Sequence, residues 1–111
     1  MDITNFCFGK DHELEDLGGG VSRRMGIFAD NVMVAEVHFE TGAVGAVHSH
    51  PHEQISYVLS GAFEFEIGGV KEVVKAGDST YKQPNIPHGA KCLEAGVLLD
   101  FFTPHREDFV K

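Results

Sequence analysis

The sequence predicts one all-β domain, a small antiparallel jelly-roll barrel, and three observations carry that expectation. Apolar runs of four to eight residues, rich in Val, Phe and Ile, are separated by Gly and Pro. The stretch AFEFEIGG alternates strictly, with Phe63, Phe65 and Ile67 on one face and Glu64 and Glu66 on the other. A total of 111 residues supplies one modest core and no second one.

Taken in order, residues 1–22 are acidic and end in ELEDLGGG, which reads as a loosely structured lead-in that packs on the domain or on a neighbouring subunit. Residues 23–111 form the domain proper. Its expected strands lie in RRMGIF, VMVAEVHFE, GAVGAV, QISYVLSG, AFEFEIGG, VKEVVKAGD, STYKQPNIPHGAKCLE and GVLLDFF, about seven to nine in all, with Gly and Pro as the separators. Gly68-Gly69 suits a tight two-residue hairpin, because both residues can take positive φ. Gly77-Asp78 and the Pro84–Pro87 stretch are further turns. A closed sheet at this strand spacing is a jelly roll.

Charge and cysteine usage exclude several functions. A formal net charge of -8 opposes binding to nucleic acid and to anionic membranes. Cys7 and Cys92 form no CxxC pair, so a disulfide framework is not expected and a reducing, cytoplasmic setting is. No stretch approaches the roughly 20 apolar residues of a membrane span.

The densest chemistry is HSHPHEQ, residues 48–54. His48 and His50 are two apart, so on extended backbone both rings leave one face. Gln54 opens the next strand, and its parity matches Ser56 and Val58, whereas Glu53, the rival oxygen donor, shares the face of Ile55 and Tyr57. His88 follows the Pro turn in NIPH. Three imidazoles and one oxygen donor make a site for one divalent transition metal ion, with Ni, Zn, Mn and Fe all admissible. His52 lacks a partner on its face and is placed at the rim. Four neutral ligands leave the full dication charge in place, which favours a small anionic substrate.

The last expected strand contributes a different residue. Asp100 shares parity with Leu98 and Phe102 in GVLLDFF, and an inward carboxylate in a small barrel must be paired, hydrogen-bonded or used. Arg106, beyond Pro104, is a partner for that carboxylate or for a substrate's. Phe102 is a pocket wall or core, and Arg23 a second positive group at the pocket mouth. Cys92 reads as a small buried hydrophobe, Tyr57 and Tyr81 as packing or rim residues, and Glu107 and Asp108 as a solvated tail.

These residues resemble the cupins. Their first motif, G(x)5HxH(x)3-4E(x)6G, is matched by GAVGAVHSHPHEQISYVLSG with Gln54 at the Glu position. The second, G(x)5PxG(x)2H(x)3N, is matched in altered form by GDSTYKQPNIPHGAKC with Cys92 at the Asn position. LEDLGGGVSRRMG and the tail CLEAGVLLDFFTPHREDF extend the likeness to pectin-degradation cupins of the KdgF type, in which the Gln is expected. That resemblance implies metal binding by His48, His50, Gln54 and His88, and catalytic or substrate roles for Asp100, Phe102 and Arg106. It implies conversion of 4,5-unsaturated monouronates, from pectin or alginate, to linear 5-keto-4-deoxyuronate by a homodimer. A non-haem metal dioxygenase and a non-catalytic sugar- or effector-binding cupin are the alternatives.

Overall fold

The computed structural model describes residues 5–110; the first four residues of the expected lead-in, and Lys111, lie outside them. Eight strands follow in chain order: β1 (Glu15–Gly18), β2 (Val21–Ala29), β3 (Val32–Phe39), β4 (Val44–His48), β5 (Glu53–Ile67), β6 (Val70–Lys75), β7 (Ser79–Lys82) and β8 (His88–Thr103). Short 3-10 turns at Gly9–Asp11 and Glu107–Phe109 flank them. β1 lies inside the acidic lead-in and pairs with β2, Glu15 opposite Arg23.

All-β character is as expected, but the closed barrel is not formed. The hydrogen-bonded order is β1-β2-β3-β8-β5-β6, with β4 paired to β8 and β7 to β5, and among the described residues no ladder joins β1 to β6. The reason lies in the two central strands. β8 gives its C-terminal part to β3 and its N-terminal part to β4. β5 likewise divides one side between β7 and β6. The sheet therefore folds over by bending long strands, and its sides meet through side chains rather than through a last ladder.

Two glycines explain why the expected short strands are in fact long ones. QISYVLSG and AFEFEIGG form one strand of 15 residues, and GAKCLE and GVLLDFF one of 16. The β5–β8 register shifts between Val58 and Phe63, a run of bulges that bends both strands without ending them. At that bend Gly61 has φ 81. A Cβ on it would run into the carbonyl oxygens of Glu94 and Ala95, and one on Gly96 into the carbonyl of Ser60. Glycine here marks a close backbone crossing, not a strand end.

The β5–β6 hairpin is as the sequence predicts: Ile67 pairs with Val70, and Gly68 and Gly69 have φ 56 and 82. Phe63, Phe65 and Val58 from β5 pack with Cys92 and Leu98 from β8 and with Ala43. Met33, Ala35 and Phe102 form a second cluster at the other end of the sheet. Cys92 is thus a core residue, 1% exposed, and both cysteines are free thiols. Among the described residues no helix is long and apolar enough to cross a membrane.

Replacement of Gly61 by Ala combines a positive-φ penalty of about 1–2 kcal/mol with a backbone overlap of similar size. The urea-unfolding free energy of Gly61→Ala is expected to fall by about 3 kcal/mol; a loss under about 1 kcal/mol would show that the crossing tolerates a side chain.

Candidate metal centre

His48 ends β4 and His88 begins β8, and the two stand directly opposite in the β4–β8 ladder. Between β4 and β5 the chain loops through His50, whose carbonyl accepts a hydrogen bond from the Asn85 backbone N–H at 2.7 Å. That bond fastens the Pro84–Pro87 turn to the HSH segment, and Asn85 takes φ 65 to make it. Residues remote in sequence are thereby brought together: ligand atoms of His48, His50 and His88 all lie within 4.8 Å of one another. His50 and His88 are buried, while His48 is exposed.

Each ring is oriented the same way. Nδ1 of His48 bonds the Ala46 carbonyl at 2.9 Å, Nδ1 of His88 the Ile86 carbonyl at 2.9 Å, and Nδ1 of His50 the His52 carbonyl at 3.2 Å. A carbonyl only accepts, so each Nδ1 carries the proton and each Nε2 has a free lone pair directed away from the backbone. Second partners of this kind fix the tautomer of metal-binding histidines. Nε2 of His88 is buried with no hydrogen-bond partner. Nε2 of His50 lies 2.9 Å from Oε1 of Gln54, whose own Nε2 donates to Ser56 Oγ at 3.3 Å. Two acceptors facing each other and one orphaned imidazole nitrogen fit a cation among them. Burial also pushes the His88 pKa down to about 4, against an opposing pull from the Ile86 carbonyl, and burial lowers that of His50. Both rings are neutral near pH 7 and need lose no proton to bind a metal.

Residues 35–102 match the cupin domain family. The chain belongs to the cupins. It is 44% identical over 98 residues to the pectin degradation protein KdgF of Dickeya dadantii (strain 3937), covering 86% of this chain and 89% of that one. The structure of KdgF from Halomonas sp. superposes with a TM-score of 0.90 at 34% identity, over 96% of this chain and 98% of that one. An RmlC-like cupin from Shewanella frigidimarina gives a TM-score of 0.91 at 45% identity, over 96% of each chain. This cupin is a close homologue of KdgF-type proteins.

Beside the imidazoles, a cavity of about 170 Å³ is lined by Gln54, Ser56, Lys82, Asp100, Phe102 and Arg106 among others. Asp100 faces it, its Oδ1 accepting from Ser56 Oγ at 2.5 Å. Burial raises the Asp100 pKa, opposed by the Lys82 charge and by hydrogen bonds from Ser56 and Gln54. Phe102 is both wall and core: 2% exposed, with its ring 5.8 Å from that of His50. His52 stands outside the trio, its ring 5.5 Å from His50. Glu53 turns outward and accepts from the Tyr81 hydroxyl.

Arg106 does not meet Asp100. Its Nε and Nη2 fork onto Asp108 at 3.0 and 2.8 Å, which makes Asp108 a partner rather than a free tail residue and lowers its pKa. Both Arg106 and Arg23 lie over the Phe109 ring, at 4.3 and 4.0 Å from its centroid, so both guanidinium groups are held at the cavity.

Sequence reasoning missed Ser56 and Lys82 as site residues. Lys82 is 0% exposed, with Nζ bonded to Ser56 Oγ at 2.6 Å and Thr80 Oγ1 at 2.7 Å and set 4.5 Å above the Phe65 ring. Burial lowers its pKa to about 8, with Asp100 pulling the other way. The available signal was slight: Thr80 and Lys82 share one face of STYK, and only the β5–β7 register, Gln54 opposite Lys82, reveals that this face is inward.

His48→Ala and His88→Ala proteins are expected to lose most bound metal by elemental analysis while His52→Ala stays loaded; equal loss in all three would reject the ligand set. The metal-free protein should also be acid-sensitive. Folded His88 titrates near 4 and an unperturbed His near 6.5, so between these values only the unfolded chain takes up the proton. Stability in chelator therefore falls as pH drops from about 6.5 to about 4, and a His88→Gln protein should show a shallower fall in its urea midpoint over that range.

Proposed function

We propose that this cupin converts 4,5-unsaturated monouronates, released from pectin or alginate, to linear 5-keto-4-deoxyuronate. The observation that carries the reading is a half-buried carboxylate, Asp100, sharing one small cavity with the three-histidine cluster. Two similar proteins bear the KdgF name, one described as a pectin degradation protein, and this supports the substrate class.

His48, His50 and His88 through Nε2, with Gln54 through Oε1, would hold one divalent transition metal ion. When bound, such an ion supplies Lewis acidity against the negative charge that develops on an oxygen during reaction. The substrate is a cyclic hemiacetal whose ring oxygen sits on C5 of a C4=C5 double bond, next to a carboxylate. Asp100, ionised, takes the proton of the C1 hydroxyl; the C1–O ring bond breaks as the C1 carbonyl forms, and the electron pair leaves with the ring oxygen as an enolate. The protonated Asp100 then delivers its proton to C4, and the enolate becomes the C5 ketone. Atoms balance, and no oxidant is used. A carboxyl raised by burial suits both halves of this task, being a stronger base than an exposed Asp and still able to return the proton.

Arg106 would attract and clamp the substrate carboxylate, with Arg23 adding charge at the mouth. Phe102 would give the sugar a flat apolar wall. Ile55, Tyr57, Tyr81 and Phe101 are exposed on the opposite face of β5, β7 and β8, an apolar surface that supports a homodimer.

Incubation with unsaturated monouronate should abolish the ultraviolet absorbance of the conjugated double bond, equally fast with and without oxygen, and not after metal stripping. A strict oxygen requirement would favour the dioxygenase reading instead. Asp100→Asn is expected to reduce kcat by roughly 10²-fold or more while metal content and melting temperature hold; an active Asn protein would remove Asp100 from the chemistry.

A further inference from the structure

Lys82 has no part in the reaction above, yet it is fully buried and lines the cavity. A buried lysine needs partners for its protons, and here all are accounted for: Ser56 Oγ, Thr80 Oγ1 and the face of Phe65. None of these contacts is with Asp100 itself. The arrangement is more economical if its purpose is Ser56.

The Ser56 hydroxyl has one proton and two lone pairs. Three polar groups reach its Oγ: Lys82 Nζ at 2.6 Å, Gln54 Nε2 at 3.3 Å and Asp100 Oδ1 at 2.5 Å. An ammonium and an amide NH2 can only donate, so they occupy the two lone pairs. The single hydroxyl proton is then left for the carboxylate. The same count fixes the amide: with Nε2 tied to Ser56, Oε1 is the end of Gln54 that faces His50 Nε2. An amide turned the other way would present an oxygen to Ser56, competing with Asp100 for the one hydroxyl proton, and N–H donors to a cation held by the histidines.

We infer that Lys82 and Ser56 are positioning residues that work as a unit, Ser56 as the joint and Lys82 as its anchor, setting the sense of the Gln54 amide at the metal centre and the direction of the Asp100 carboxylate at the cavity. The Asp100 half rests on the reaction proposed above; the Gln54 half does not. Ser56 also spans the ladder, lying opposite Asp100 on β8 and Thr80 on β7, so the joint is mounted on three strands at once. A lowered Lys82 pKa is consistent with how tightly this group is enclosed.

A merely structural lysine would make a different prediction. A structural role alone would lower the melting temperature, since Lys82→Met leaves the Asp100 carboxylate without its opposing charge, and would leave the Gln54 side-chain resonances in place. Lys82→Gln provides a second variant of similar length.

The test uses the zinc-loaded protein, labelled with 15N. The chain contains only two glutamines, Gln54 and Gln83, so each side-chain amide can be followed with the other as control. In Ser56→Ala and in both Lys82 variants the Gln54 side-chain resonances should shift and exchange with solvent at least several-fold faster, while those of Gln83 stay in place. Turnover of unsaturated monouronate should drop about tenfold or more in kcat with KM within about threefold, and Ser56→Ala/Lys82→Met should be no slower than Ser56→Ala alone. Unchanged Gln54 resonances in the Lys82 variants, or fully additive losses in the double variant, would overturn the inference. If the wild-type protein fails to turn over the sugar, the proposed function falls, and the Gln54 resonances alone decide the positioning role.

Discussion

In the antiparallel ladder between β5 and β8, Gln54 lies opposite Phe102, Ser56 opposite Asp100 and Ile67 opposite His88. Four of those six residues are polar, and Gln54, Ser56 and Asp100 are directed into the fold by the same two-residue alternation that buries Val58 and Leu98 further along. A slip of β5 by one residue in this ladder would turn Gln54 and Ser56 outward and Ile55 and Tyr57 toward the core instead. Register is held by what cannot slip: Phe63 and Phe65 packed beneath the bend, and a bulged crossing at Gly61 that admits no other residue. The polar site is therefore positioned by the apolar core, and the cost of burying it is met by the packing on either side.

Burial gives those polar residues their chemistry. Withdrawn from water, the imidazoles of His50 and His88 shed their protons, the Lys82 ammonium binds its proton less firmly and the Asp100 carboxyl more firmly. Opposite charges then limit the effect: Lys82 and Asp100 act on each other through Ser56, and neither is left without a hydrogen bond. The contrast with the surface pairs is plain. Lys71 and Glu66, 4.0 Å apart and largely in water, add little to either stability or reactivity.

Legibility in the sequence followed the range of the interaction that mattered. The Gln54 parity and the Gly68-Gly69 hairpin depend on alternation over a few residues, which a linear reading captures, whereas His50 joins His48 through a loop beyond β4 that the Asn85 backbone bond fastens. Closure of the barrel depends on which strand edges meet, and no local pattern states that two strands of 15 and 16 residues share their sides among four neighbours. Gly61 and Gly96 were misleading for the same reason: the missing Cβ serves a neighbour from another strand, so each looks like a strand end in one dimension and is a crossing in three. Lys82 escaped notice because lysine is the residue least expected in a core, and only its cross-strand partner Gln54 reveals the face it occupies. Arg106 was visible as a charge near the cavity, but its bidentate partner Asp108 is two residues away on a 3-10 turn that no periodicity announces.

Electrostatics separate the outside of this cupin from its cavity. The whole chain carries a formal charge of -8, yet Arg23, Lys82 and Arg106 all line one cavity of about 170 Å³, with Asp100 the acidic residue among its walls. A long polyanion such as an intact pectin chain would have to lie along an acidic surface to present one unit, and each added carboxylate would be repelled within a screening length of about 8 Å. A single sugar acid avoids that cost, since its one carboxylate enters the region where the field reverses. The charge distribution therefore favours a small anion over a long polyanion, independently of which metal the histidines hold.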